Sequence, residues 1–282
     1  MKNYLIVFAS LCLLTACSIV SKSELQRVQQ TQVKQHTTAL KKKTTIPSKT
    51  QEIKRYQNRK PIKWGVDVPG VVRKLPTNGK VIALTFDACG GKHGSGYDKA
   101  IIQYLNKHHI PATLFINSRW IDANPDTFME LSHNPLFEIE NHGTEHRPLS
   151  VTGRSVYGIQ GTKNVSNVYN EINGNAQKIK KLTGKFPKFF RSGTAYYDDI
   201  AVHIVNDLNE IPVNFDIIGD AGATFTTKQV EHSMLRAKPG SIIILHMNQP
   251  KGDTAEGIQK AIPRLLQEGY HFVKLENYLK TK

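Results

Sequence analysis

Short apolar segments alternate with amphipathic segments along most of the chain. Val81–Phe86 is a run typical of a buried strand, and Tyr97–His109 places its apolar residues at helical spacing. Short apolar strands separated by helices predict a parallel α/β domain, either an open sheet or a barrel. The further predicted strands are Ala112–Ile116, Phe137–Asn141, Lys188–Arg191, Ile211–Asp216, Ser241–His246 and Phe272–Leu275, and the clearest further helices are Asn167–Leu182, Asp198–Leu208 and Thr254–Gln267.

Side chains capable of acid–base or metal chemistry lie just beyond the carboxyl ends of these predicted strands. In barrels and open parallel sheets, active sites are built at that rim because the loops converge there. Delivery of so many such side chains to one rim is an unlikely coincidence for a structural protein. The residues are Asp87, His142, His146, Arg191, Asp220 and His246.

Ordinary structural roles are open to the same residues taken one by one. Asp87 could cap a helix, His246 could be a buried histidine bonded to a backbone carbonyl, and Arg191 could pair with a surface acid. Their joint position at one rim favours the functional interpretation. Trp64 and Trp120 have no such position, and we expect both to be packing residues.

His142 and His146 are four positions apart, so a helical turn or tight loop would bring both imidazoles to one side, where they can share a divalent metal. The pair alone is a weak signal. Asp87 and His246 strengthen it, because metal-assisted hydrolysis needs a base for the water and an acid for the leaving group.

Four ordered motifs give the chain a family resemblance. They are Thr85-Phe86-Asp87-Ala88-Cys89, Asn141-His142-Gly143-Thr144-Glu145-His146, Phe190-Arg191-Ser192-Gly193-Thr194-Ala195-Tyr196 and Ile244-Leu245-His246. Together they resemble the polysaccharide deacetylases, the NodB homology domain, over residues 80–276. The resemblance implies a distorted (β/α) barrel, a Zn²⁺ or similar divalent ion, and hydrolysis of acetyl groups from an acetylated glycan, such as one containing N-acetylglucosamine.

The resemblance also implies roles for the site residues. Asp87 corresponds to the base that accepts a proton from water, and Arg191 orients it. His246 corresponds to the acid that protonates the leaving amine, with Asp220 tuning it. The metal ligands are His142 and His146.

The first motif departs from the family pattern, which is usually Thr-Phe-Asp-Asp with a metal-binding second Asp. Ala88 stands at that position, and a methyl group cannot bind metal. We expect Asp87 to be the first substitute ligand, with Cys89, whose thiolate suits zinc, and Glu140, on the same strand face as His142, as alternatives.

Milder departures are Gly143 where the family usually has Ser or Thr, Gly193 where it has Pro, and Ala221 where Trp usually follows the aspartate. These changes leave two hypotheses. The first is a metal-dependent carbohydrate deacetylase, and the second is a catalytically impaired glycan-binding protein on the same barrel.

The chain opens with an eleven-residue apolar run, Tyr4–Leu14, too short to span a membrane but typical of a signal peptide. Leu14-Thr15-Ala16-Cys17 resembles the lipobox of bacterial lipoproteins. We expect removal of residues 1–16, acylation of Cys17 and anchoring at the cell envelope. Ser18 resembles the sorting pattern for the outer membrane of Gram-negative bacteria. An ordinary cleaved signal with a chance cysteine is the alternative.

Residues 17–65 are rich in Gln, Thr and Lys, which predicts a flexible basic linker before a catalytic domain at 66–282. Residues 18–63 carry 12 Lys or Arg and two acidic residues, so this segment holds most of the net charge of +15. Because the rest of the chain has no concentrated basic patch, we expect no nucleic-acid partner. The family resemblance implies an acetylated glycan as the substrate, and the lipobox-like segment at Cys17 implies a membrane as the other partner.

Overall fold

The computed structural model describes residues 46–280, which form one compact unit. The predicted signal peptide, Cys17 and the linker up to residue 45 lie outside the described residues. No helix within residues 46–280 is both long and apolar enough to cross a membrane. The helices are α1 (Lys49–Tyr56), α2 (Lys99–Lys107), α3 (Ser118–Ala123), α4 (Pro125–His133), α5 (Val165–Thr183), α6 (Asp199–Asp207), α7 (Thr227–Met234) and α8 (Thr254–Gln267), with a 3₁₀ turn at Leu275–Asn277.

The strands alternate with these helices, as the sequence pattern predicts. Several are shorter than expected, and the strand predicted at 211–216 keeps only its first two residues. They are β1 (Trp64–Gly65), β2 (Val81–Ala88), β3 (Ala112–Ile116), β4 (Phe137–Asn141), β5 (Phe189–Phe190), β6 (Tyr197–Asp198), β7 (Ile211–Pro212), β8 (Ile217–Ile218), β9 (Ser241–His246) and β10 (His271–Val273).

One parallel sheet of eight strands organises the domain. Its order is β7, β5, β4, β3, β2, β9, β8, and β10 pairs with the first residues of β2. The sheet curls into a half-barrel flanked by helices, which confirms the predicted (β/α) architecture. Among the described strands, β7 and β8 are the outer ones, so the barrel is open on that side.

The central strand β2 is buried along its whole length and carries the first motif. Successive side chains of a strand point to opposite faces. Phe86 and Ala88 lie in the apolar cluster between the sheet and its helices, whereas Ala83 lies in the cluster inside the curl. Asp87 therefore faces the interior of the half-barrel, where register pairs it with His246 of β9.

The prediction of a flexible linker up to residue 65 is wrong for residues 46–65. Helix α1 begins with a capping box formed by Ser48 and Gln51, and buries Tyr56 against the domain. Strand β1 pairs antiparallel with β6. Few apolar residues stand among many charges in this segment, so its hydrophobic periodicity was too weak to predict a helix.

Candidate active site

Asp87 and Arg191 form a buried ion pair at the carboxyl end of the sheet. Arg191 Nη1 donates to Asp87 Oδ1 at 2.7 Å, and both side chains are almost fully buried. The rest of the guanidinium donates to the carbonyl oxygens of Val213 and Asn214, and its carbon lies 4.2 Å from the centre of the Phe115 ring. Arg191 is therefore fixed from several sides and does not pair with a surface acid.

The pKa of Asp87 follows from this environment. Burial alone would raise it, but the positive charge of Arg191 and the neighbouring imidazoles of His142 and His246 outweigh burial and lower the pKa below its usual value. Asp87 is therefore ionised at neutral pH and can accept a proton.

His246 forms a second pair with Asp220. His246 Nδ1 lies 2.8 Å from Asp220 Oδ1, and Asp220 Oδ2 accepts the backbone N–H of His246 and the hydroxyl of Thr254. The carboxylate holds a proton on Nδ1, which leaves Nε2 as the ring nitrogen available for proton transfer. Burial alone would lower the pKa of His246, but the Asp220 carboxylate outweighs it and raises that pKa. The imidazole is thus suited to donate a proton.

Cys89, His142 and His146 bring three potential metal ligands together. One ligand atom from each lies within 4.8 Å of the other two. Cys89 directly follows β2. His142 directly follows β4, and His146 lies four residues later in the same loop. The loop brings the two imidazoles together as the spacing predicted, with ring centres 4.9 Å apart.

The donor set fits a divalent metal. His142 Nδ1 lies 2.9 Å from the Arg191 carbonyl oxygen and donates its proton there, so the lone pair is on Nε2. That nitrogen lies 3.9 Å from Cys89 Sγ. Bonds of about 2.3 Å to sulfur and about 2.05 Å to nitrogen would place tetrahedral zinc ligands roughly 3.5 Å apart, so a small inward movement would suffice.

Protonation states agree with this fit. Burial lowers the pKa of both His142 and His146, so both imidazoles are neutral and can act as ligands. Burial, with the nearby carboxylates of Asp87 and Asp220, raises the pKa of the Cys89 thiol well above its usual value. A cation bound here would replace the thiol proton.

The structure reorders the substitute ligands expected for Ala88. Cys89 belongs to the three-residue group, whereas Asp87 is engaged by Arg191 and lies 3.5 Å from His142 Nε2. Glu140 is directed elsewhere, because its carboxylate accepts the backbone N–H groups of Lys188 and Phe189. The expectation that Glu140 could join the metal site is wrong.

The loop between the two histidines is held by a carboxylate that sequence reasoning missed. Glu171 of α5 is buried and accepts the backbone N–H groups of Glu145 and Arg147. A Cβ at Gly143 would lie 2.5 Å from Glu171 Oε1, and its φ of 77° is left-handed. Glycine therefore replaces the family's hydroxyl residue because the carboxylate occupies that space.

Gly193 explains a second departure from the family pattern. A Cβ at Gly193 would lie 2.3 Å from the His146 carbonyl carbon, so no proline fits where this loop packs on the histidine loop.

Asn117 also holds the histidine loop and was not found from the sequence. Its Nδ2 donates to the carbonyl oxygens of His142 and Gly143, and nothing in a single sequence distinguishes this residue from an ordinary helix cap.

Comparison with known proteins identifies this architecture. The sequence profile of the polysaccharide deacetylases matches residues 74–210. Residues 74–210 are a polysaccharide deacetylase domain. The resemblance noted from the motifs is therefore confirmed, and with it the enzyme class, a carbohydrate deacetylase.

Curated relatives are distant but cover most of the chain. The peptidoglycan-N-acetylmuramic acid deacetylase of Bacillus subtilis is 23% identical over 243 residues, covering 81% of this chain and 85% of that protein. The peptidoglycan-N-acetylglucosamine deacetylase of Bacillus cereus is 24% identical, covering 75% of this chain and 94% of that protein.

Solved structures support the fold. The Bacillus subtilis deacetylase, a family 4 carbohydrate esterase, superposes with a TM-score of 0.61 at 22% identity, covering 81% of this chain and 87% of that chain. A family 4 pseudoenzyme from Bacillus anthracis gives 0.63 at 20% identity, covering 76% and 70%. The same fold thus carries an enzyme and a pseudoenzyme.

Proposed function

We propose that the protein is a zinc-dependent hydrolase that removes acetyl groups from an N-acetylhexosamine glycan of the cell envelope. The observation that carries this proposal is two buried side-chain pairs whose proton-transferring residues lie on the adjacent strands β2 and β9. Arg191 keeps Asp87 ionised, and Asp220 raises the pKa of His246 and so favours its protonated form. One base and one acid stand next to a group of three potential metal ligands.

The two pairs divide the proton transfers of amide hydrolysis between them. Asp87 accepts a proton from the attacking water through the carboxylate oxygen that Arg191 does not engage. His246 donates its Nε2 proton to the departing amine, and Asp220 stabilises the imidazolium before that transfer. Arg191 keeps Asp87 ionised until Asp87 accepts its proton and holds the carboxylate in the same orientation throughout.

Cys89, His142 and His146 would hold the cation, which when bound supplies Lewis-acid polarisation of the acetyl carbonyl. One thiolate and two imidazoles are soft to borderline ligands that favour zinc over magnesium or calcium. This donor chemistry supports zinc even though the family's aspartate is replaced by Ala88.

The proposed substrate and location rest on other observations. The two relatives described above are named as deacetylases of peptidoglycan N-acetylmuramic acid and N-acetylglucosamine. The lipobox-like segment at Cys17 supports export and a lipid anchor, with the outer membrane of a Gram-negative bacterium as the proposed place.

Acetate release from acetylated chito-oligosaccharides and from peptidoglycan tests the proposal. Zinc-loaded wild type should release acetate, and chelation should abolish the activity in a way that added zinc restores. Asp87→Asn, which keeps the size of the side chain but not its basicity, is the matched control. Absence of acetate from every acetylated glycan tested would refute the enzyme.

A glycan-binding protein is the second candidate. The loss of the family's metal-binding aspartate at Ala88 and the similarity to a pseudoenzyme favour it. Such a protein would bind glycan without releasing acetate, and its affinity would be insensitive to Asp87→Asn. Asp87 with its partner Arg191 and His246 with its partner Asp220 favour the enzyme, since a binding protein needs neither a base nor an acid.

A further inference from the structure

Three aromatic side chains cluster at the surface, on segments attached to the loops of the proposed active site. Trp64 and Tyr196 are tilted against each other with ring centres 5.6 Å apart, and Tyr157 meets Tyr196 edge-on at 5.7 Å. They come from three segments, namely β1, a hairpin after the histidine loop, and the end of the Arg191 loop. The expectation that Trp64 is a packing residue is therefore incomplete, because its ring is only half-buried.

The cluster is tied to the histidine loop by the backbone. Gly193 packs directly against the His146 backbone, and Tyr196 follows three residues later, so its Cα lies within about 11 Å of Gly193 Cα. Asn214 Nδ2 donates to the carbonyl oxygens of Ala195 and Val66, which joins the segment that carries Trp64 to the same loop.

Tyr157 has an unusual position for a tyrosine. It occupies the first turn position of a two-residue hairpin closed by the Val156–Ile159 bridge, with a left-handed φ of 53°, followed by Gly158 at 73°. Such turns favour Asn, Asp or Gly, and a bulky residue there is an outlier. The ring is 75% exposed, so burial does not compensate for this conformation.

One exposed and two half-buried aromatic rings near the proposed carbohydrate site suit a sugar ring as their partner. The C–H faces of a hexose ring are apolar while its edges carry hydroxyl groups, which matches the apolar body and polar tip of tyrosine and tryptophan. Arg154 is exposed, and its guanidinium carbon lies 5.1 Å from the centre of the Trp64 ring, where its donors can reach hydroxyl or acyl oxygens.

We propose that Trp64, Tyr157 and Tyr196 form a subsite for a hexose ring of the glycan, next to the sugar that loses its acetyl group. This inference rests on the proposed function for its ligand class. It predicts that the protein prefers polymers or long oligosaccharides, because a single acetylated sugar cannot occupy both places.

Tryptophan fluorescence can observe this subsite directly. The chain has two tryptophans, and Trp120 is fully buried, so acrylamide quenching reports mainly on Trp64. In the full-length Asp87→Asn protein, which should not turn substrate over, acetylated chitohexaose should protect Trp64 from acrylamide. N-acetylglucosamine at the same concentration of sugar rings should protect it far less.

Tyr157→Ala should weaken chitohexaose binding about three- to tenfold, as expected for the loss of one aromatic contact. Phe186→Ala is the matched control, because Phe186 is also an exposed aromatic with a cation near its ring, Lys180 at 5.5 Å, but belongs to the segment after α5. The control should bind like the parent protein.

The outcomes separate the two proposals. If wild type releases acetate but chitohexaose neither protects Trp64 nor distinguishes Tyr157→Ala from Phe186→Ala, the subsite is wrong and the proposed function stands. If Trp64 is protected and Tyr157→Ala binds more weakly while wild type releases no acetate, the subsite stands and the proposed function fails.

Discussion

Replacing Arg191 with methionine tests the buried ion pair that supports the base. Arg191 is fully buried and Asp87 is 3% exposed, so the substitution leaves an uncompensated carboxylate in the interior. Methionine fills most of the volume, which separates the lost charge from a lost side chain. We expect a loss of about 3–5 kcal/mol in the free energy of unfolding, the usual cost of breaking a buried pair from one side.

In thermal unfolding this loss is large. For a domain of this size about 1 kcal/mol lowers Tm by about 2–4 °C, so Arg191→Met should lower it by roughly 6–20 °C. Adding Asp87→Asn to Arg191→Met should recover much of the loss, because both charges are then removed together. Both variants should be compared without metal, so that metal binding does not contribute to stability.

Arg264→Met is the matched control. Arg264 and Glu231 are 2.8 Å apart, close to the 2.7 Å between Arg191 and Asp87, but the Arg264 side chain is 57% exposed, so water screens the pair. Its loss should change stability by less than about 1 kcal/mol. Equal effects of Arg191→Met and Arg264→Met would contradict the argument, because burial would then make no difference.

The pH dependence has a defined sign. The folded-state pKa of Asp87 lies below its usual 3.8, so the pair contributes stability above that value and loses it as pH falls through the lowered pKa. The deficit of Arg191→Met should therefore be largest near neutral pH and shrink in acid, as the orphaned carboxylate becomes protonated. A deficit that stays constant from neutral to acidic pH would show that the charge is not its cause.

Three further variants test the other parts of the account. Cys89→Ser should weaken zinc binding by more than roughly 10- to 100-fold, which is the usual cost of losing a residue that only hydrogen-bonds to a ligand. It should also remove the near-ultraviolet thiolate-to-cobalt charge-transfer band of the cobalt-substituted protein. An unchanged band would show that the Cys89 thiolate is not a ligand. Asp220→Asn should lower the pKa of His246, so the alkaline limb of the pH profile of kcat/KM should move to lower pH. Asp216 instead accepts a backbone N–H at the start of β9, so Asp216→Asn should leave that limb in place. The same alkaline limb in both variants would show that Asp220 does not tune the acid. Cys17→Ser should release the protein from the membrane fraction, and retained palmitate labelling would refute the lipid anchor.

The sequence predicted those parts of the site that depend on strand order. Asp87 and His246 end neighbouring strands of a parallel sheet, so the rule that loops converge at one rim places them together. Asp220 follows β8, and its carboxylate reaches His246 as the motif order implied. These are consequences of topology, which hydrophobic alternation encodes.

Contacts between distant loops were not predictable in the same way. Glu171 lies inside an ordinary amphipathic helix, and only the fold reveals that its carboxylate holds the histidine loop. From the sequence, Asp87 was expected before Cys89 as the substitute ligand. Only the structure shows that Arg191 binds the Asp87 carboxylate and that Cys89 lies with the two histidines. The aromatic cluster joins Trp64 to Tyr196 through strand pairing of residues more than a hundred positions apart, which local patterns do not carry.

The most direct test of the central claim is acetate release by Asp87→Asn, His246→Ala and the double variant, with zinc-loaded wild type as reference. If Asp87 is the base and His246 the acid, each single change should lower kcat by about 10²- to 10⁴-fold with the fold intact. The double variant should lose little more than the weaker single variant, because the two groups act in one reaction sequence. Near-wild-type rates in either single variant, or losses that multiply, would contradict the assignment of these two residues as a cooperating base and acid.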